Sequence, residues 1–213
     1  MEQATQLVDR VRLLYLYPSD LNEELIDAVL GTGVPYFDLS LQHVSRPLLR
    51  RMRRWRDGER FSQQIDTIRE KNPEAVFRSN FIVGYPGETE EDHELLLEFL
   101  DKAQIDWCGF FPYSPEQGTY SETLSDTVDT PIILERLSEL TEIQDRITAR
   151  NRDNLIGKEL EVLVDEVGVG RSWREAPEID GIVNISRELP VGEIASVIVS
   201  GATGPDLETH ATF

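Results

Sequence analysis

The chain has 213 residues, 40 of them acidic against 21 basic, for a formal net charge of −19. That balance disfavours bulk contact with phosphate backbones, which takes an excess of Lys and Arg, and favours a basic partner. The single cysteine, Cys108, excludes an internal disulfide framework and any self-contained cysteine cluster for zinc or iron–sulfur.

The length suits one large domain or two smaller ones. Residues 1–10 hold no apolar signal region and no later run is long enough to span a bilayer, so no membrane partner is expected and the expected location is the cytoplasm. Val11–Leu16 is a strand candidate stopped by Pro18-Ser19-Asp20. Leu21, Leu25, Ile26 and Val29 then fall at helical spacing up to Gly31. Tyr36–Leu41 is the next strand, and Gln42-His43-Val44-Ser45 is a polar junction behind it. His43 reads as a structural junction residue. Ser45 and Pro47 open a helix carrying Arg46, Arg50, Arg51, Arg53, Arg54 and Arg56, read as a solvated face that pairs with nearby carboxylates. Asp57-Gly58 breaks the segment, and Phe61, Ile65 and Ile68 mark the core face of a further helix up to Lys71.

Strand Val76–Val83 ends at Gly84, Pro86 and Gly87, and Thr89 with Asp92 caps a helix to Ala103 with Leu95, Leu96, Phe99 and Leu100 inward. Such a strand–turn–helix junction lies at the carboxyl end of a parallel strand, where ligands are held in α/β proteins; it also serves as a plain tight turn. No Lys-Ser or Lys-Thr follows Gly87, so it is not a phosphate-cradling loop. Ile105–Phe111 is the last strand of the series, leading into a turn-rich loop from Pro112 to Thr119. Cys108 inside it reads as a small core residue. The four strand–helix units predict an open or incomplete parallel (β/α) sheet over residues 1–130, unpaired on the Val11–Leu16 side. Residues 131–154 read as one long amphipathic linking helix. From 155 to 213 the pattern turns to short strands at Lys158–Asp165, Gly181–Ile185, Glu193–Gly201 and Leu207–Phe213, a small all-β barrel of oligonucleotide-binding size. Its eleven acidic and four basic residues leave −7, so direct nucleic-acid binding is disfavoured.

Leu39–Ser45 followed by Leu49–Arg54 resembles the PLQHxS…LxxMxR stretch of the radical S-adenosylmethionine methylthiotransferases. Phe81–Asp92 resembles their FIVGFPGETEED stretch, and Tyr113–Thr119 their YSxExGT loop. The segment from Ile156 looks like their C-terminal TRAM domain. Gly170-Arg171-Ser172, Ala176–Gly181 and His43 after Gln42 resemble the RimO branch, not the tRNA-modifying MiaB branch.

The resemblance implies an α/β fold, a partial radical SAM barrel followed by a TRAM barrel. It implies S-adenosylmethionine and 4Fe–4S clusters as cofactors, with an aspartate of small-subunit ribosomal protein S-twelve as the target. That C–H bond is unactivated, which calls for a radical cofactor. The family's CxxxCxxC motif is absent, so the chain looks like the C-terminal part of such an enzyme, expected to be inactive alone, with no metal ligand and no catalytic residue of its own. Four residues are carried over as candidate cofactor contacts: Gln42 to a ribose or amino-acid moiety, Arg78 to the cofactor carboxylate, Glu88 to its ammonium and Tyr113 to the adenine. Each has a plain structural alternative in a strand cap, a salt bridge, a helix-start charge or packing. The rival readings are a non-catalytic module docking a basic ribosomal protein through the acids around Glu175, Glu178 and Asp180, the MiaB branch, and an unrelated aldolase-like barrel. No lysine at a strand end supports the last.

Overall fold

The computed structural model describes residues 3–54 and 57–211. Arg56 and Phe213 lie outside the described residues. Tyr36–Gln42 (β1), Val76–Val83 (β2) and Trp107–Pro112 (β3) pair in parallel in the order β1-β2-β3. Because side chains alternate along each strand, the register sorts them onto two faces. Phe37 stacks on Phe77 at 5.6 Å between ring centres and Phe81 on Phe110 at 5.9 Å, on the face that meets the helices. Asp38 lies opposite Arg78, which lies opposite Trp107, and Asn80 lies opposite Gly109, on the other face.

The helices covering the first face are Glu23–Leu30 (α1), Gly58–Lys71 (α3), Glu90–Ala103 (α4) and Thr130–Asp153 (α5), with the short Arg46–Arg51 (α2) between β1 and α3. Ile26, Ile65, Leu100 and Leu140 bring their apolar faces into one core with the strands. Asp57 is the N-cap of α3, its side chain accepting from the Arg60 N–H, so Asp57-Gly58 starts the helix where the sequence suggested only a break. Leu95, expected inward on α4, is 48% exposed; Leu96 takes the core side.

Val11–Leu16 does not form a full strand. Only Leu16 bridges to Leu39, donating to the Asp38 carbonyl at 2.7 Å and accepting from Ser40 at 2.9 Å. Arg10 and Arg12 are bonded to the barrel. Arg10 donates to the Arg171 and Glu161 carbonyls, and Arg12 to those of Glu175 and Trp173.

Residues 159–211 form a closed barrel of Glu159–Glu166 (β4), Val169–Arg171 (β5), Val183–Ile185 (β6), Ile194–Thr203 (β7) and Asp206–Ala211 (β8), in the order β4-β5-β6-β8-β7. Its own core holds Val162, Val164, Val183, Val197 and Leu207. The strand β5, too short for an alternation to show, was not expected.

The two units are pinned together at the amino end of the parallel sheet. Asp180 accepts from Tyr36 Oη at 2.5 Å, from Arg78 Nε at 3.2 Å and from the Ala176 N–H at 2.7 Å. Glu175, fully buried, pairs with Arg152 of α5 and accepts from the Ser172 N–H and hydroxyl. Trp107 Nε1 donates to the Arg174 carbonyl at 2.9 Å. Burial pushes the Tyr36 phenol up, so it stays a neutral donor. Two of the three acids expected to dock a partner, Glu175 and Asp180, are therefore internal ties. Helix α5 packs on β3 and supplies one of these ties, so it is a layer of the sheet unit as well as a connection.

Removing one member of a buried ion pair leaves the other charge unpaired, at a cost of about 3–5 kcal/mol. Glu175→Ala should lose that much stability in urea unfolding followed by tryptophan fluorescence. Glu193→Ala, on the exposed barrel surface, should stay within about 0.5 kcal/mol of wild type. Equal losses in the two variants would contradict the tie.

Candidate functional site

The contacts with the barrel lie toward the amino end of the sheet, and the turns behind β1, β2 and β3 gather at its carboxyl end. At β1 the register shifts between Leu39 and Gln42, and Gln42 takes φ 69°. A non-glycine residue in the left-handed region costs free energy, and bulges beside sites re-aim side chains. At β2 the chain turns through Gly84 at φ 81° and Gly87 at φ 84°. A Cβ would lie 2.4 Å from Ile133 at Gly84 and 1.7 Å from the Arg51 guanidinium at Gly87, so both turns require glycine. Thr89 and Asp92 form the capping box of α4. The other Asp92 oxygen accepts from the hydroxyl of Ser45, the N-cap of α2, which ties the ends of β1 and β2 together. Burial works against the charge on Asp92, yet the Ser45 and Thr89 hydrogen bonds hold its carboxyl below the usual range. At β3 the Tyr113 N–H donates to the Val83 carbonyl at 2.7 Å, and its ring meets Tyr85 edge-on at 5.2 Å.

Of the four candidate contacts, the structure brings Gln42, Glu88 and Tyr113 to this end and places Arg78 near the other. Arg78 is committed to Asp38 at 3.5 Å and Asp180 at 3.2 Å. Glu88 accepts from the Gly84 N–H at 2.6 Å through one oxygen and from Arg136 at 2.9 Å through the other. Burial raises its pKa, while the Gly84 N–H and Arg136 oppose that. Both charged candidates therefore hold the scaffold. Among the described residues no partner holds the Gln42 amide, and the Tyr113 hydroxyl is buried with no hydrogen-bond partner.

Asn80 was missed in the sequence. Its Oδ1 is also buried and unpaired, and Gly109 alone makes room for it, since a Cβ there would lie 2.6 Å away. The signal was present as Asp38-x-Ser40-x-Gln42 and Arg78-x-Asn80, polar residues two apart on neighbouring strands. Buried polar atoms without a protein partner are met by ordered water or by a ligand. Asn80, Tyr113 and the half-buried Gln42 thus fit a polar organic cofactor with an aromatic part. An open cavity of about 840 Å³ runs along the free edge of β3, between Phe111, Thr148 of α5 and Ile179 and Pro205 of the barrel. Among the described residues no group of His, Cys, Asp or Glu could hold a metal ion, and the one cysteine of the sequence does not fit an iron–sulfur cluster. Cys108 packs against the core from within β3, and burial pushes its thiol well up. No helix among the described residues is long and apolar enough to cross a membrane.

Residues 5–100 match the Radical SAM superfamily model and residues 156–211 the TRAM domain model. The ribosomal protein uS12 methylthiotransferase RimO of Aquifex aeolicus is 43% identical over 213 residues, covering 95% of this chain and 49% of the relative. That of Cutibacterium acnes is 43% identical over 204 residues, covering 92% and 42%. The chain spans about half the length of the curated relatives it matches. Among solved structures, coproporphyrinogen III oxidase (HemN) from Escherichia coli, a radical SAM enzyme, superimposes with a TM-score of 0.54 at 14% identity over 88% of this chain and 46% of that one, a likeness of fold.

His43 is buried against this end, with Nδ1 accepting from the Ser45 N–H at 3.1 Å and Nε2 unpaired. Burial lowers its pKa from 6.5 to about 4, the Asp92 charge opposing and His93 and Arg136 adding to the shift. The unfolded chain then binds more protons between these values, so stability falls as pH drops through that window. From pH 7 to pH 5 the loss should be about 2 kcal/mol by linkage. Urea midpoints at the two pH values should converge in His43→Asn, where Asn still accepts from Ser45. An undiminished pH dependence in that variant would assign the effect elsewhere.

Proposed function

We propose that this chain, which is similar to about half the length of the RimO-type methylthiotransferases, belongs to that family, forms one wall of the S-adenosylmethionine site and carries the TRAM barrel of an enzyme that methylthiolates ribosomal protein uS12. The observation that carries this reading is the trio Gln42, Asn80 and Tyr113 at the carboxyl end of the sheet, with two buried polar atoms lacking partners. Gln42 and Asn80 would hydrogen-bond the polar part of the cofactor and Tyr113 would line its ring. The bound cofactor, with a reduced cluster held by residues outside this chain, supplies radical chemistry for an unactivated aspartate C–H bond.

The exposed glutamates of the barrel, including Glu159, Glu161, Glu193 and Glu208, support docking of a basic ribosomal protein. A ribosomal substrate places the reaction in the cytoplasm. Complementary charge of this kind speeds encounter and is screened once the Debye length falls below about 8 Å.

The test joins this chain to the part of the Aquifex aeolicus relative that it does not cover. The joined protein, reconstituted anaerobically, should add one methylthio group to uS12, at a rate that falls with rising salt. The chain alone should hold no stoichiometric iron and give no product. Iron and turnover in the chain alone, or modification of tRNA in place of uS12, would overturn the reading.

A further inference from the structure

The parallel sheet ends on β3, which pairs with β2 on one side only. Behind β3 the Tyr113 N–H donates to the Val83 carbonyl of β2. Backbone groups of a strand turn to alternate sides from one residue to the next. Phe111 and Gly109 therefore share the β2 side, and the N–H and C=O groups of Cys108 and Phe110 point to the free edge. A bare edge of this kind is a template for pairing with another chain unless something covers it.

Here the cover stops at the start of the strand. Gln144 Nε2 of α5 donates to the Ile105 carbonyl at 2.9 Å, and the Thr148 hydroxyl donates to that of Asp106 at 2.9 Å. Past Asp106 the edge runs beside the cavity of about 840 Å³ between α5 and the barrel. Two apolar side chains flank this space, Phe111 at 53% and Ile179 at 50% exposure. Gln144 lines it too. That residue is 4% exposed, and its Oε1 is buried without a hydrogen-bond partner. Outward N–H donors, outward carbonyls and one spare amide oxygen are what a polypeptide backbone matches.

Charge selects the kind of polypeptide. Of the cations lining the cavity, Arg78 is committed to Asp38 and Asp180, and Arg146 lies 3.7 Å from Glu142. Asp145 and Glu178 are exposed and, among the described residues, have no cationic partner. The charge left over at the edge is negative.

We propose that the open edge of β3 takes up an extended segment of a basic polypeptide as an added strand, beside Gln144 and between Phe111 and Ile179. The inference rests on the reading of a basic protein partner and deepens it. Exposed glutamates of the barrel would speed the encounter, and the β3 edge would hold the segment. Main-chain hydrogen bonds would supply affinity, while apolar side chains toward Phe111 and Ile179 and cations near Asp145 and Glu178 would supply preference.

The experiment follows amide hydrogen exchange of the full chain with three short peptides. One alternates lysine and valine, the second is the same with every backbone nitrogen methylated, and the third alternates glutamate and valine. At about ten times its dissociation constant, the lysine peptide should slow exchange at Cys108 and Phe110 about tenfold. The methylated and glutamate peptides at that concentration should leave both amides as they are. Asp145→Lys with Glu178→Lys, at two exposed positions, should weaken the lysine peptide about fivefold or more.

Binding of the lysine peptide with Cys108 and Phe110 still exchanging freely would overturn the strand addition and leave the basic-partner reading standing. Equal protection by the methylated peptide would overturn it by assigning the binding to side chains, and equal protection by the glutamate peptide by removing the charge match. A chain that binds no lysine peptide would overturn it too, and methylthiolation of uS12 by the joined protein then decides the partner reading separately.

Discussion

The buried ionic contact between the two units, Arg78 and Tyr36 on Asp180 beside Arg152 on Glu175, decides which end of the sheet is free. Taking these charges out of water is costly, and the geometry returns that cost only if every lone pair is used. Here the Ala176 and Ser172 N–H groups and the Ser172 hydroxyl fill the remaining acceptor positions. The apolar contact around them, from Val34, Tyr36, Val76 and Trp107 to Ala176, packs the amino end against the barrel, and the open cavity along β3 reaches Arg78, Trp107 and Asp180 from the side. The barrel ties leave the carboxyl end to the turns behind β1, β2 and β3, where loops of a parallel sheet converge.

That end is braced from behind. Asp92 closes the capping box of α4 and holds the N-cap serine of α2. Glu88 clamps the β2 turn to α5 through Arg136. Held by this frame, the side chains that face outward keep fixed positions without using their own polar groups. Asn80 and Tyr113 retain capacity for a partner for that reason. The charged groups that looked most functional are the ones that do the bracing.

The strand–turn–helix from Val76 to Ala103 was legible because its chemistry is local. Alternation, glycines at positive φ and the Thr89–Asp92 box each point to one conformation within a few residues. The barrel from residue 155 was legible from its alternating Lys158–Asp165 run and turn spacing. Long-range electrostatics was not. Nothing near Glu175 or Asp180 in the sequence tells that their partners lie 23 residues away at Arg152 and 102 away at Arg78. The same blindness made Arg78 and Glu88 look like cofactor contacts and made Val11–Leu16 look like a strand, since the bonds of Arg10 and Arg12 to barrel carbonyls have no local trace.

The division of the sheet into a closed amino end and a ligand-binding carboxyl end is tested most directly by amide resonances of the labelled chain titrated with S-adenosylhomocysteine. Shifts should concentrate at Gln42, Asn80 and Tyr113, with the barrel strands β4–β8 unmoved. Shifts confined to the barrel, or to Thr148, Ile179 and the residues around Pro205 beside the free edge of β3, would contradict it.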